Sequence, residues 1–209
     1  KGFWRKYIDP IDWLSETIFS IMIVLIFTLA YRIFSISSAP NAATSSESAT
    51  TLLLAILGAV IAWGFIDGSI YAVLSFFERE ESTRLVLEIR EAKSESEKVE
   101  IVLNEFGEVF EPITDELHRD ALYLAILHSI KSTPVKTIGF TKDDIGAAVA
   151  HVFVATIAVI PSMIPLLIFS NNLLLAIRIS NLVSFAVLFI TGYRWGQFVG
   201  VKPIRTGMI

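Results

Sequence analysis

The sequence predicts an all-α polytopic membrane protein: four transmembrane helices, with an acidic helical insert between the second and third. Two observations predict it. Residues 17–31, 48–66, 68–77, 145–177 and 179–193 contain no Asp, Glu, Lys or Arg, although 18% of the 209 residues are charged. The charge is concentrated instead in residues 78–144, which hold 16 acidic and 9 basic side chains, net −7 against +3 for the remainder. A bilayer core needs roughly 20 mostly apolar residues per helix, and apolar runs with charged flanks, lacking the alternating faces of soluble helices, read as spans. With no cysteine, a disulfide framework and a thiolate metal site are both excluded.

The elements follow in order. Residues 1–16 mix Phe3, Trp4, Tyr7 and Trp13 with Lys1, Arg5 and Lys6, a composition suited to the membrane interface. Asp9-Pro10 marks a helix start, Asp9 capping and Pro10 in the first turn. The first span is expected from about Leu14 to Ile36, a polar loop over 37–49, and the second span from about Thr50 to Phe77. The insert is expected as helices over 78–103, continuing the second span, then 104–111 and 113–132. The last would carry Leu117, Ala121, Leu124, Ala125 and His128 on its packed stripe, and Ser132-Thr133-Pro134 would end it.

Thr141-Lys142-Asp143-Asp144 resembles a capping box with Asp as its fourth residue. The third span follows to about Phe169, interrupted by Pro161 and Pro165. Ser170-Asn171-Asn172 reads as a tight turn, and the fourth span reaches about Val199. The chain therefore divides into residues 1–77, 78–144 and 145–209. Starting at Lys1 and stopping at Ile209, it reads as a piece of a longer protein, with a fifth span expected beyond. Lys and Arg flank the spans at the N-terminus, in the insert and at Lys202 and Arg205, but not in the 37–49 loop. That asymmetry places the first three on the cytoplasmic side.

Ionisable residues inside spans are costly and mark pathways or partners. Glu16, Asp67 and Arg178 are the candidates. In one reading Glu16 is interfacial and Asp67 pairs with an arginine such as Arg178. In the other, the carboxylates bind a cation or relay protons, and His151 either joins the relay or simply packs. Pro161 and Pro165 leave backbone carbonyls without intrahelical donors, which either coordinate a cation or accompany a kink. Gly192, Gly196 and Gly200 read as a helix-packing face.

In the insert, Glu78, Glu81, Glu88, Glu91 and Glu95 recur at intervals of three, four or seven, Glu105 and Glu108 repeat the spacing, and His118 follows Asp115 and Glu116. Carboxylates with an imidazole suit Mn²⁺, Fe²⁺ or Zn²⁺. The competing reading is a solvated helix with pairs such as Glu80–Arg84 and Asp115–Arg119. The negative balance argues against nucleic acid and anionic lipid as partners. No phosphate loop, His-Glu-x-x-His pattern or Ser/His/Asp arrangement points to an enzyme.

Asp9-Pro-Ile-Asp-Trp-Leu-Ser-Glu-Thr-Ile-Phe-Ser, Trp63-Gly-Phe-Ile-Asp-Gly-Ser-Ile-Tyr and Arg178-Ile-Ser-Asn resemble the prokaryotic branch of the vacuolar iron transporter family. The layout, two spans, an acidic helical insert and further spans, is similar too. The resemblance implies a five-span homodimer of the prokaryotic cell membrane that exchanges Fe²⁺ or Mn²⁺ for protons, with no permanently bound cofactor. It implies Glu16 as the translocation carboxylate, Asp67 on the path, and Glu78, Glu81, Glu88, Glu91, Glu105 and Glu108 as metal-collecting residues of the insert. The function expected is divalent-metal transport, as proton-coupled export from the cytoplasm. The alternatives are a non-transporting membrane protein whose insert senses metal or docks a partner, and a channel.

Overall fold

The computed structural model describes residues 8–38, 46–112, 114–132, 134 and 139–208. They form helices α1 (Pro10–Ser38), α2 (Ser46–Glu91), α3 (Glu95–Phe110), α4 (Glu116–Ser132), α5 (Lys142–Ile168), α6 (Leu173–Val199) and α7 (Pro203–Met208), with no strand among them. Among the described residues, four segments are long and apolar enough to cross a bilayer: Pro10–Phe34, Ser48–Glu91, Lys142–Ile168 and Leu173–Val199. The protein is an all-α polytopic membrane protein.

The chain clusters into two units, Lys1–Ala72 with Thr141–Ile209, and Val73–Phe140; α2 contributes to both. In the first unit, Ile21 and Val24 of α1 pack with Ile56 and Val60 of α2, Ala155 and Val159 of α5, and Ala176 and Ile177 of α6. Lipid is as apolar as these side chains, so polar contacts and close packing must help hold such helices together. Thr28 Oγ1 donates to Asn181 Oδ1 at 2.8 Å, Ser180 Oγ to the Ser162 carbonyl at 2.6 Å, and Ser184 Oγ to Ser162 Oγ at 2.9 Å. Helix α5 runs unbroken through Pro161 and Pro165, so the expected interruption is absent; Ser162, between them, is instead tied to α6.

The helix ends follow their residues. Thr141 Oγ1 accepts from Asp144 N, and an Asp144 carboxylate oxygen accepts from Thr141 N at 2.7 Å, completing the capping box that opens α5. Asn172 caps α6 through Leu175 N. Gly200 ends α6 with φ of 78°, a left-handed conformation natural only to glycine. A Cβ on Gly192 would lie 2.7 Å from the Thr206 carbonyl, and one on Gly196 2.8 Å from Pro203 Cα. Gly192 and Gly196 are therefore a packing face within the chain, against which α7 lies, whereas Gly200 has nothing within 4 Å of a Cβ and does not join it.

The second unit has a core of Ile89, Val102, Tyr123 and Leu127, joined by Leu85, Val99, Phe106, Ile126 and Ile130. Its helices differ from expectation in two ways. The break falls at 92–94, so α3 takes in the end of the expected 78–103 helix and most of 104–111. Ser94 Oγ accepts from Glu97 N, and Glu97 Oε2 accepts from Lys93 N at 2.8 Å; Ser94-x-x-Glu97 is a helix-start signature. On α4 the packed stripe is Tyr123, Ile126, Leu127 and Ile130, whereas Leu124 is 60% exposed. Ala121, Ala125 and His128 are exposed as well. A tyrosine and three aliphatic side chains remove more apolar surface from water than a stripe containing two alanines.

Asp115 caps α4: Oδ1 accepts from His118 N at 2.9 Å and lies 2.6 Å from His118 Nδ1. The backbone N–H and then the imidazole of His118 hold the Asp115 carboxyl below its ordinary range. A depressed carboxylate contributes stability that is complete above the ordinary range and is lost as pH falls through the lowered value. Asp115→Ala is expected to loosen the first turn of α4 at neutral pH, and Asp115→Asn far less. Hydrogen exchange across the first turn of α4 measures both, and equal protection in the two variants would contradict the cap.

Candidate metal centre within the membrane spans

Among the described residues, one set of three carboxylate or imidazole side chains is close enough to share a metal ion: Glu16, Asp67 and His151, with one ligand atom from each within 4.8 Å of the others. They come from α1, α2 and α5. Glu16 and His151 are buried, 2% and 3% exposed, and Asp67 is half-buried.

Local sequence explains the meeting. Gly64 and Gly68 flank Asp67 on the face of α2 that meets α5. A Cβ on Gly64 would lie 2.8 Å from Val152 Cα, and one on Gly68 2.5 Å from the Ala148 carbonyl oxygen and 2.8 Å from Ala148 Cα. The two backbones touch there, as small residues allow. Asp67 Oδ2 then reaches His151 Nδ1 at 2.7 Å. If Nδ1 carries the proton, the carboxylate accepts it and Nε2 keeps its lone pair, the arrangement seen in ligating histidines oriented by a carboxylate. The Tyr71 ring stands 5.0 Å from the imidazole and supports its plane.

Four buried polar atoms here have no hydrogen-bond partner: Glu16 Oε1, Ser20 Oγ, Trp63 Nε1 and His151 Nε2. Buried polar groups are nearly always paired, and an exception calls for a reason such as a bound ion or water. Two carboxylates and an imidazole offer two negative charges and borderline nitrogen, which suits Mn²⁺, Fe²⁺ or Zn²⁺. Asp12, one turn before Glu16, interacts electrostatically with both His151 and Asp67.

Of the residues expected on the path, the structure brings Glu16 and Asp67 together and leaves Arg178 exposed on α6, outside the group. The partner of Asp67 is His151, not Arg178. The insert's Glu78, Glu81, Glu88, Glu91, Glu105 and Glu108 are exposed. Neither they nor His118, engaged by Asp115, belong to any such group among the described residues. Asp115–Arg119 gives way to Asp115–His118, and Glu95 pairs with Lys98 and Lys131 at 3.1 and 3.2 Å. Asp12, read from the sequence as one charge of the interfacial segment 1–16, stands one helical turn from Glu16 but is outside the group.

The fold and this site define a class: a polytopic α-helical membrane protein with an acid–acid–imidazole cluster enclosed by its spans. No family model, curated protein or solved structure matches the chain.

Proposed function

We propose that the protein is a divalent-metal transporter that exchanges Fe²⁺ or Mn²⁺ for protons across the membrane, exporting metal from the cytoplasm. The observation that carries the reading is the convergence of Glu16, Asp67 and His151 from three apolar helices. A divalent cation bound there is neutralised by two ionised carboxylates, and protons arriving at the same oxygens displace it. Electroneutral exchange avoids leaving two uncompensated buried charges, which would be costly. The resemblance to the vacuolar iron transporter family supports the same chemistry, and with it a homodimer.

The insert, net −7 over residues 78–144, gathers cations from the cytoplasm by its field rather than by a built site. Neutralising Glu78, Glu81, Glu88 and Glu91 to Gln is expected to slow uptake several-fold at low ionic strength. The difference should vanish above about 0.5 M salt, where screening is short-ranged; a slowing independent of salt would contradict the field. The exchange itself is tested in liposomes by following Mn²⁺ and Fe²⁺ entry together with internal pH. Metal entry coupled to opposite proton movement is expected. Metal flux without proton movement would make the protein a channel. No flux of any divalent ion from folded protein would leave a non-transporting metal-sensing or docking protein.

A further inference from the structure

Trp63 lies one turn before Asp67 on α2, and its ring packs against Phe19 of α1 at 5.4 Å. Its Nε1 and the Ser20 hydroxyl are both within interaction range of the Glu16 carboxyl, yet neither forms a hydrogen bond, nor does Glu16 Oε1. Ser20 is unusual in this. The hydroxyls of Thr17, Ser69, Thr156 and Thr191 donate to the carbonyl four residues earlier, the ordinary fate of a helical hydroxyl. Ser20, fully buried, does not. An indole N–H is a donor only and cannot ligate a cation. A buried donor without an acceptor costs about 1–3 kcal/mol, so two such donors beside one carboxylate call for that carboxylate as their acceptor.

We infer that Trp63, with Ser20, is a positioning residue that holds one oxygen of Glu16 and leaves the other for the cation. This rests on the cation site proposed above and adds a basis for selectivity. Glu16 is thereby confined to one coordinating oxygen. Asp67 is confined in the same way, because Oδ2 is occupied by His151. The protein then supplies two oxygens and an imidazole. Ca²⁺ takes six to eight oxygens, often through bidentate carboxylates. The smaller transition ions take an imidazole nitrogen more readily than Ca²⁺ does, and Zn²⁺ is satisfied by four ligands. Restricting carboxylate denticity therefore selects Mn²⁺, Fe²⁺ or Zn²⁺ over Ca²⁺.

The test is calorimetric binding of Mn²⁺ and of Ca²⁺ to the full chain in detergent, with folding checked by circular dichroism. Trp63→Phe keeps an aromatic ring, though a smaller one, and removes the N–H. It is expected to weaken Mn²⁺ by about 10-fold or more, the usual effect of losing an outer-shell partner. Ca²⁺ should hold or tighten, so the Mn²⁺/Ca²⁺ ratio falls at least about 10-fold. Ser20→Ala, which scarcely alters packing, should move the ratio in the same direction by less, and it decides the question if Trp63→Phe does not fold. An equal loss for both ions, or an unchanged ratio, overturns the inference while leaving the cation site standing. Absence of Mn²⁺ binding by the wild-type protein overturns the site and the inference together.

Discussion

Glu16→Gln is expected to abolish divalent-cation uptake while leaving the fold as stable as before, or more so. The substitution keeps the shape of the side chain and removes one of the two negative charges facing the cation. Two unit charges about 4 Å apart at an effective dielectric of about 20 attract by about 4 kcal/mol. For an ion carrying two charges, losing one such interaction weakens binding by at least about 1000-fold. Stability moves the other way because Glu16 is buried, and a neutral amide is cheaper to bury than a carboxylate. Uptake into liposomes and thermal unfolding in detergent check the two halves. Uptake that survives Glu16→Gln would remove Glu16 from the path, whatever the melting temperature does.

Gly68→Ala should have the largest effect on the architecture of the site. The added methyl would meet the backbone of Ala148, with the carbonyl oxygen 2.5 Å away, so no side-chain adjustment can relieve it. Helix α2 must withdraw from α5, and the Asp67–His151 hydrogen bond is lost with the contact. Overpacking and the loss of a charged hydrogen bond together amount to about 3 kcal/mol or more. Both the melting temperature and Mn²⁺ binding should fall. Gly58→Ala is the matched control: nothing lies within 4 Å of a Cβ there, so neither quantity should fall. If Gly68→Ala melts and binds like the wild type, the close approach of α2 and α5 is wrong.

The parts of this molecule that were legible in its sequence are those set by local chemistry. Charge-free runs marked the spans, because lipid tolerates so few ionisable side chains. Thr141 with Asp144, and Asn172 at the next turn, marked where α5 and α6 begin, because caps act within four residues. Glu16 and Asp67 stood out singly for the same reason as the spans. Their meeting with His151 did not, since Asp67 and His151 are 84 residues apart and a shared site depends on how three helices are set against one another. Gly64 and Gly68 were visible beside Asp67, but nothing in the sequence says that Ala148 and Val152 are what they admit. The insert misled in another way. Its α4 carries apolar residues on two overlapping stripes, and only packing volume selects the one with Tyr123 and Leu127. Its glutamates have regular spacing, yet spacing along one helix does not bring carboxylates from several helices to one point. In the Arg178-Ile-Ser-Asn stretch the charge drew attention, whereas Ser180 and Asn181 make the contacts to neighbouring helices.

The packing of Phe19 on Trp63 also gives the protein a means of reporting its own state. Indole fluorescence responds to the charge, polarity and paramagnetism of its immediate surroundings, and this indole has its nitrogen beside Glu16. Trp13, by contrast, is 56% exposed and would respond chiefly to its own surroundings. With Trp63 as the last of the four tryptophans left in place and the others changed to Phe, emission would follow occupancy of the centre directly. Arrival and departure of an ion could then be timed in the unlabelled chain, turnover by turnover.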